Sequence, residues 1–143
     1  MFMKKITLLF VLLAGAVIQI LKPDLEPQAF ELMLRAHRSL QDYAVLLFLG
    51  SVLAPFSEEL FYRGMIYPVF KFHLGRNWGM AAAGLIFGLA HWDLWRALPL
   101  AVGGAFLCYV YEKSGSVLVS TVTHGVWNGV LTAMICFSMN SGL

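Results

Sequence analysis

Charge is what this chain has least of. Asp, Glu, Lys and Arg together make up 13% of its 143 residues, against about a quarter in soluble domains, which excludes an ordinary solvated globule. The formal net charge is only +2 and no basic patch interleaved with aromatics occurs, so nucleic acid is excluded as a partner. Cysteine is scarce as well. Cys108 and Cys136 stand far apart in apolar segments without ligand spacing, and they read as small buried hydrophobes. There is no glycine-rich phosphate loop, no His-x-x-Glu-His or His-Glu-x-x-His pattern, and no serine or cysteine in a nucleophile's setting. Internal repeats, low-complexity tracts and linkers are missing too. The C-terminal Asn140-Ser141-Gly142-Leu143 carries no prenylation cysteine.

What remains is grease. The chain is 59% hydrophobic with mean hydropathy +0.75, the composition of an integral membrane protein. At about 20 residues per crossing its length predicts an all-α, polytopic membrane helical bundle of about five transmembrane segments. It reads as a single transmembrane domain, 1–143, with a core of about 43–139. A first span covers about Ile6–Leu21. Lys4-Lys5 and the small residues Ala14-Gly15-Ala16 also suit a signal peptide, but the apolar run continuing to Leu21 favours an uncleaved span. Polar residues 22–42 contain Phe30, Leu32, Met33 and Leu34, which predict a short interfacial helix. Span two runs from Tyr43 to about Phe72, broken or kinked at Pro55. A basic turn at 71–77 follows. Span three reaches about His91, residues 92–96 form an interfacial loop rich in tryptophan, span four covers about Ala97–Tyr111, and span five about Val117–Met139. Lysine and arginine are slightly more frequent on the side that holds the N-terminus, which favours placing that end inside.

Against this background three polar elements stand out. Ala54-Pro55-Phe56-Ser57-Glu58-Glu59-Leu60-Phe61-Tyr62-Arg63-Gly64 sets three ionisable groups within six positions of span two. Each would cost about 2.5–3.5 kcal/mol at the centre of a membrane helix. Glu59 and Arg63 are four apart, share a helix face and can pair. Glu58 lies about 100° away, on the face of Tyr62, and is the freer carboxylate. A poorly solvated carboxylate makes a general base near neutral pH; a salt bridge locking two helices would use the same residues. Gly84, Gly88 and His91 share one side of span three, so a neighbouring backbone can approach closely. Phe87, one turn before His91, can wall the imidazole from lipid; alternatively His91 snorkels beside Trp92. His124 and Asn128 also share a face, with Gly125 and Gly129 as a close-contact pair. Together they could hold an oxyanion or clamp two helices. His37 and His73 lie in polar turns and read as solvated.

Glu58-Glu59-x-x-x-Arg63, Phe87-x-x-x-His91 and His124-x-x-x-Asn128, in that order on successive membrane segments, resemble the CPBP intramembrane proteases. That family includes the CAAX prenyl endopeptidases and Abi-type bacteriocin-processing and immunity proteins. The match extends from about Phe56 to Asn128, and Gly64 and the turn Tyr111–Ser116 fit it too. Most members have more spans, so the chain resembles a minimal core. The resemblance implies a glutamate-type endopeptidase in which Glu58 activates water with help from His91. His124 and Asn128 then hold the oxyanion, and Glu59 with Arg63 forms a structural pair. It implies no metal and no other cofactor. The implied partners are the lipid bilayer and a membrane-associated protein or peptide substrate, with a C-terminal sorting tail or a prenylated tail as candidates. The implied location is a bacterial or archaeal inner membrane, crossed several times. Two rivals stay open. Glu58, His91 and His124 could be three ligands of a zinc-dependent membrane protease. The same polar cleft could belong to a non-catalytic membrane peptide-binding or immunity protein.

Overall fold

A computed structural model describes residues 26–36 and 39–141. The expected first span, the signal-like N-terminus and His37 lie outside them. All described regular structure is helical. Helix α1 is Ala29–Ala36, α2 is Leu40–Phe48, α3 is Ala54–Phe61, α4 is Tyr67–Leu89, α5 is Leu94–Ser114 and α6 is Val117–Ser141. Two π-helical turns, Leu49–Leu53 and Tyr62–Ile66, join α2 to α3 and α3 to α4. Both elements flanking the glutamate pair are therefore underwound turns of a kind common at functional sites.

Helix α1 forms where a short helix was expected, with Leu34 fully buried and Leu32 and Met33 about half exposed. Ser39 then caps α2 by accepting from Asp42 N–H at 3.1 Å. From Leu40 to Leu89 the chain is helical for 50 residues except at Gly75, whose φ of 77° and ψ of 172° no ordinary residue tolerates easily. A Cβ added at Gly79 would sit 2.8 Å from Lys71 Cα. Eight residues of straight helix would hold these positions about 12 Å apart, so the two arms fold against each other at Gly75. The predicted turn over 71–77 is thereby narrowed to one residue.

Pro55 does not break the helix. The preceding π turn absorbs it, with Ala54 N–H bonding to Leu49 O, five residues back. The expected loop over 92–96 is also shorter. Asp93 caps α5 by accepting from Trp95 N–H at 3.1 Å and Arg96 N–H at 3.0 Å, and it pairs with the Arg96 guanidinium. The helix thus starts at Leu94, three residues before the expected Ala97. At the other end Gly115 adopts φ 66° and donates to Tyr111 O at 2.8 Å, the left-handed stop that lets α5 run on to Ser114.

Small residues bring α4 and α5 together. A Cβ at Gly84 would lie 2.4 Å from Ala101 O, and one at Gly88 2.3 Å from Ala97 O, so the backbones are in direct contact. The buried cluster is small: Tyr67, Ala83 and Cys108, with Ile66, Met80 and Tyr111 packed round it. The large apolar side chains point outward instead, among them Leu47, Phe48, Val52, Phe56, Met65 and Val130. Leu40–Leu89 and Leu94–Ser114 are long and apolar enough to cross a membrane, yet only 17% and 33% of their most apolar stretches are buried within the protein. A core helix of a soluble protein would be mostly covered; these faces suit lipid. With four long helical arms among the described residues, the expected count of about five segments is close.

Candidate active site

Arg63 is the centre of the polar interior. It and Glu59 are both fully buried, and Arg63 Nη1 donates to Glu59 Oε1 at 2.7 Å. The i, i+4 spacing that suggested the pair is realised although a π turn begins between them. Arg63 Nη2 donates to Gly104 O on α5 at 2.7 Å. The guanidinium also lies 5.0 Å from the centre of the Phe87 ring and 5.8 Å from that of Tyr62, both within cation–π range. A full positive charge in a membrane interior is thus met by a carboxylate, a carbonyl and two π faces.

His124, 6% exposed on α6, completes the centre. Its Nδ1 lies 2.9 Å from Glu59 Oε1. A carboxylate oxygen only accepts, so Nδ1 carries the hydrogen and donates it. The other ring nitrogen, Nε2, is then turned towards Glu58, 4.0 Å from Oε2. That gap is too long for a direct hydrogen bond. Glu58 Oε2 is buried and has no hydrogen-bond donor among the described residues, while the side chain as a whole stays 32% exposed. The two adjacent glutamates differ: Glu59 is bonded through Oε1 to both Arg63 and His124, with its Oε2 buried and unpartnered among the described residues, whereas Glu58 Oε2 has no such bond.

Asn128 lies one turn beyond His124, and its amide is already in use. Nδ2 donates to Gly50 O at 3.0 Å. The reason lies in Pro55. In the π register begun at Leu49, the donor for the Gly50 carbonyl would be the N–H of residue 55, and proline has none. Asn128 supplies the missing donor with one of its two amide hydrogens. Gly125, on the same face of α6, lets the helix approach this turn, since a Cβ there would sit 2.2 Å from Ser51 O. Gly129 is looser, at 3.5 Å from Ser51 Oγ.

His91 stands at the edge of this group. It lies just past the end of α4, donates from Nδ1 to Phe87 O at 2.8 Å, and is more exposed than the other candidate residues. Donation from Nδ1 leaves its Nε2 unprotonated in the neutral ring. Phe87, 3% exposed, packs edge-on against both imidazoles, with centroids 4.9 Å from His91 and 5.7 Å from His124, and 5.0 Å from Tyr62. The structure thus brings Glu58, Glu59, Arg63 and His124 into one cluster, ties Asn128 to its rim, and places His91 across Phe87. A cavity of about 880 Å³ opens beside His91, lined also by Gln28, Phe30, Trp92, Trp95 and Arg96.

At its mouth, burial pushes the Asp93 carboxyl up, but the Arg96 guanidinium and the Trp95 and Arg96 N–H groups outweigh it and hold the group below the usual carboxylate range. Among the described residues no three His, Cys, Asp or Glu side chains converge as metal ligands do.

Three contacts had not been read from the sequence: the carbonyls of Gly104 and Gly50 as acceptors, and the bond between His124 and Glu59. Pro55 five residues after Gly50 was the signal for one of them. Gly103-Gly104, where a helix can be approached closely, was a weaker signal for another.

Comparison with known proteins gives the family. The family model described as type II CAAX prenyl endopeptidase Rce1-like matches residues 40–130, the stretch that carries all six candidate side chains. The UPF0177 protein YaiF of Lactococcus lactis subsp. lactis (strain IL1403) is 32% identical over 85 residues, or 57% of this chain. The alignment covers 36% of that relative's own length. No solved structure matches. With its polar cluster, its outward apolar faces and this match over most of its length, the chain belongs to the Rce1-like family of membrane-embedded CAAX endopeptidases, within the CPBP proteases.

Proposed function

We propose that the chain is a glutamate-type intramembrane endopeptidase of a multi-pass bacterial or archaeal inner membrane protein. It would cleave a membrane-associated peptide such as a C-terminal sorting tail or a prenylated tail. One observation carries the reading. Of two adjacent membrane glutamates, Glu59 is fully buried and tied through Oε1 to Arg63 and His124, whereas Glu58 is 32% exposed, its Oε2 has no donor among the described residues, and that oxygen faces His124 Nε2 at 4.0 Å. A single water spans such a gap, and a general base must reach its water directly.

In this mechanism Glu58 takes a proton from water as the oxygen attacks the scissile carbonyl. His91, its Nδ1 fixed by Phe87 O, uses Nε2 to accept from the same water and orient it. The oxyanion accepts from His124 Nε2–H and from the second amide hydrogen of Asn128. Because Nδ1–H is committed to Glu59, His124 carries both ring protons at that step. Glu58 then passes its proton to the leaving amine nitrogen as the C–N bond breaks. The cavity beside His91 supplies an approach at the interfacial level marked by Trp92 and Trp95.

The test is Glu58→Gln in full-length protein reconstituted with candidate peptides. Hydrolysis should fall to background while thermal stability in detergent changes by no more than about 0.5 kcal/mol, as for a substitution outside the packed core. Retained turnover in this variant removes Glu58 as the base.

A further inference from the structure

We propose that Glu59 is a positioning residue for His124 as well as the partner of Arg63. This rests on the reading of His124 as an oxyanion donor given above. The expected role of Glu59 was to neutralise Arg63, and that role needs only one contact. Glu59 Oε1 makes two: it accepts from Arg63 Nη1 at 2.7 Å and from His124 Nδ1 at 2.9 Å. A charge partner alone has no reason to sit in line with an imidazole nitrogen sixty-five residues away. The contact has a chemical consequence. It places one ring hydrogen on Nδ1 in every protonation state of His124, so any proton the ring gains or gives up is on Nε2. Nε2 is the nitrogen that faces Glu58.

The holding group is itself held. Arg63 donates to Gly104 O at 2.7 Å, and its guanidinium lies over Phe87. Phe87 in turn packs against the His124 ring at 5.7 Å between centroids. The imidazole is therefore fixed in plane by Glu59 and on its face by Phe87. The charged and titratable groups that approach it are Glu58 and Glu59 from α3, Arg63 through Glu59, and His91 beyond Phe87. Replacing the carboxylate by a carboxamide would offer Nδ1 an N–H donor as readily as an acceptor. The ring could then hold its hydrogen on Nε2 when neutral and be turned or lost as a donor at the needed step. In a serine-protease triad the equivalent Asp→Asn change costs about 10⁴-fold in kcat through the wrong tautomer.

Two variants separate positioning from charge balance. Glu59→Gln alone leaves Arg63 buried and unpaired, and loss of activity could then reflect misfolding. Glu59→Gln/Arg63→Met removes both charges. If Glu59 only balances Arg63, the double variant regains stability and turnover within about 3-fold of wild type, and the proposal is overturned. If Glu59 positions His124, the double variant regains its melting temperature, while kcat stays roughly 10³–10⁴-fold low with KM changed less than about 3-fold. The second readout does not need activity. Ring-¹⁵N spectra of His124 in the wild type should show hydrogen on Nδ1, and this signature should be lost in whichever variant folds. An unchanged signature overturns the proposal. If the wild type cleaves no membrane peptide, the protease reading fails on its own account, and the spectra still decide whether Glu59 sets the tautomer.

Discussion

Gly125 and Gly129 lie on one face of α6, four residues apart, yet an added methyl would meet different fates. At Gly125 it would fall 2.2 Å from the Ser51 carbonyl oxygen, a backbone atom that cannot swing aside. Ordinary contact requires the helix and the π turn to part by about 1 Å. That turn carries Gly50, the acceptor for Asn128, and α6 carries His124. The strain should cost about 1–3 kcal/mol, as overpacking does. A misplacement of about 1 Å in the reacting groups costs about 10²-fold in rate. At Gly129 the methyl would rest 3.5 Å from a side-chain oxygen, in ordinary contact. There Gly→Ala should gain up to about 1 kcal/mol from helix propensity alone. Thermal unfolding in detergent and peptide turnover, measured on Gly125→Ala and Gly129→Ala side by side, give the comparison. Equal stability and equal turnover in the two variants would refute the close approach of α6 to the Leu49–Leu53 turn and the dependence of the site on it.

Arg63→Ala should destabilise the protein by about 3–5 kcal/mol, because it leaves Glu59 charged and fully buried; a loss under about 1 kcal/mol in denaturant titration would mean that water reaches the carboxylate. Asp93→Ala should cost about 1 kcal/mol by removing the cap of α5. Since the folded-state pKa of Asp93 is held low, its contribution is complete above its ordinary pKa of about 4 and fades as pH falls through the lower folded value. The stability gap between wild type and Asp93→Ala should therefore shrink from pH 6 to pH 3, and a gap that widened would contradict the assigned direction. Proteolysis should persist after exhaustive chelation, whereas loss restored by one equivalent of zinc per chain would revive the metalloprotease reading.

The sequence revealed most where physics is local. Glu59 and Arg63 could be paired from i, i+4 spacing, and the glycines at 84, 88 and 125 could be assigned to packed faces because small residues have few other uses in a membrane helix. The helical class followed from composition. What depended on three-dimensional register was less legible. Pro55 was read as a break or kink, because a proline in the interior of an α-helix removes a bond; the donor that serves the freed Gly50 carbonyl, Asn128, arrives from 78 residues away. The same holds for Glu59 and His124: spacing along α3 shows which residues share a face, but not which distant ring will lie on it. The reversal after span two was legible as a basic turn over 71–77, but not that it closes at Gly75 alone, since one glycine in a basic turn looks like many others.

The contact between Glu59 and Arg63 has a further meaning for how the chain enters the membrane. It closes within a single helical turn and so needs nothing synthesised later. Gly104 and His124, the other members of the cluster, follow 41 and 65 residues further on. When α3 leaves the translocation machinery neither exists in place. An isolated Arg and an isolated Glu would each resist partition into lipid, but joined they move as one neutral dipole. The pair that anchors the finished site thus also gives its segment passage into the bilayer, before there is any site to anchor.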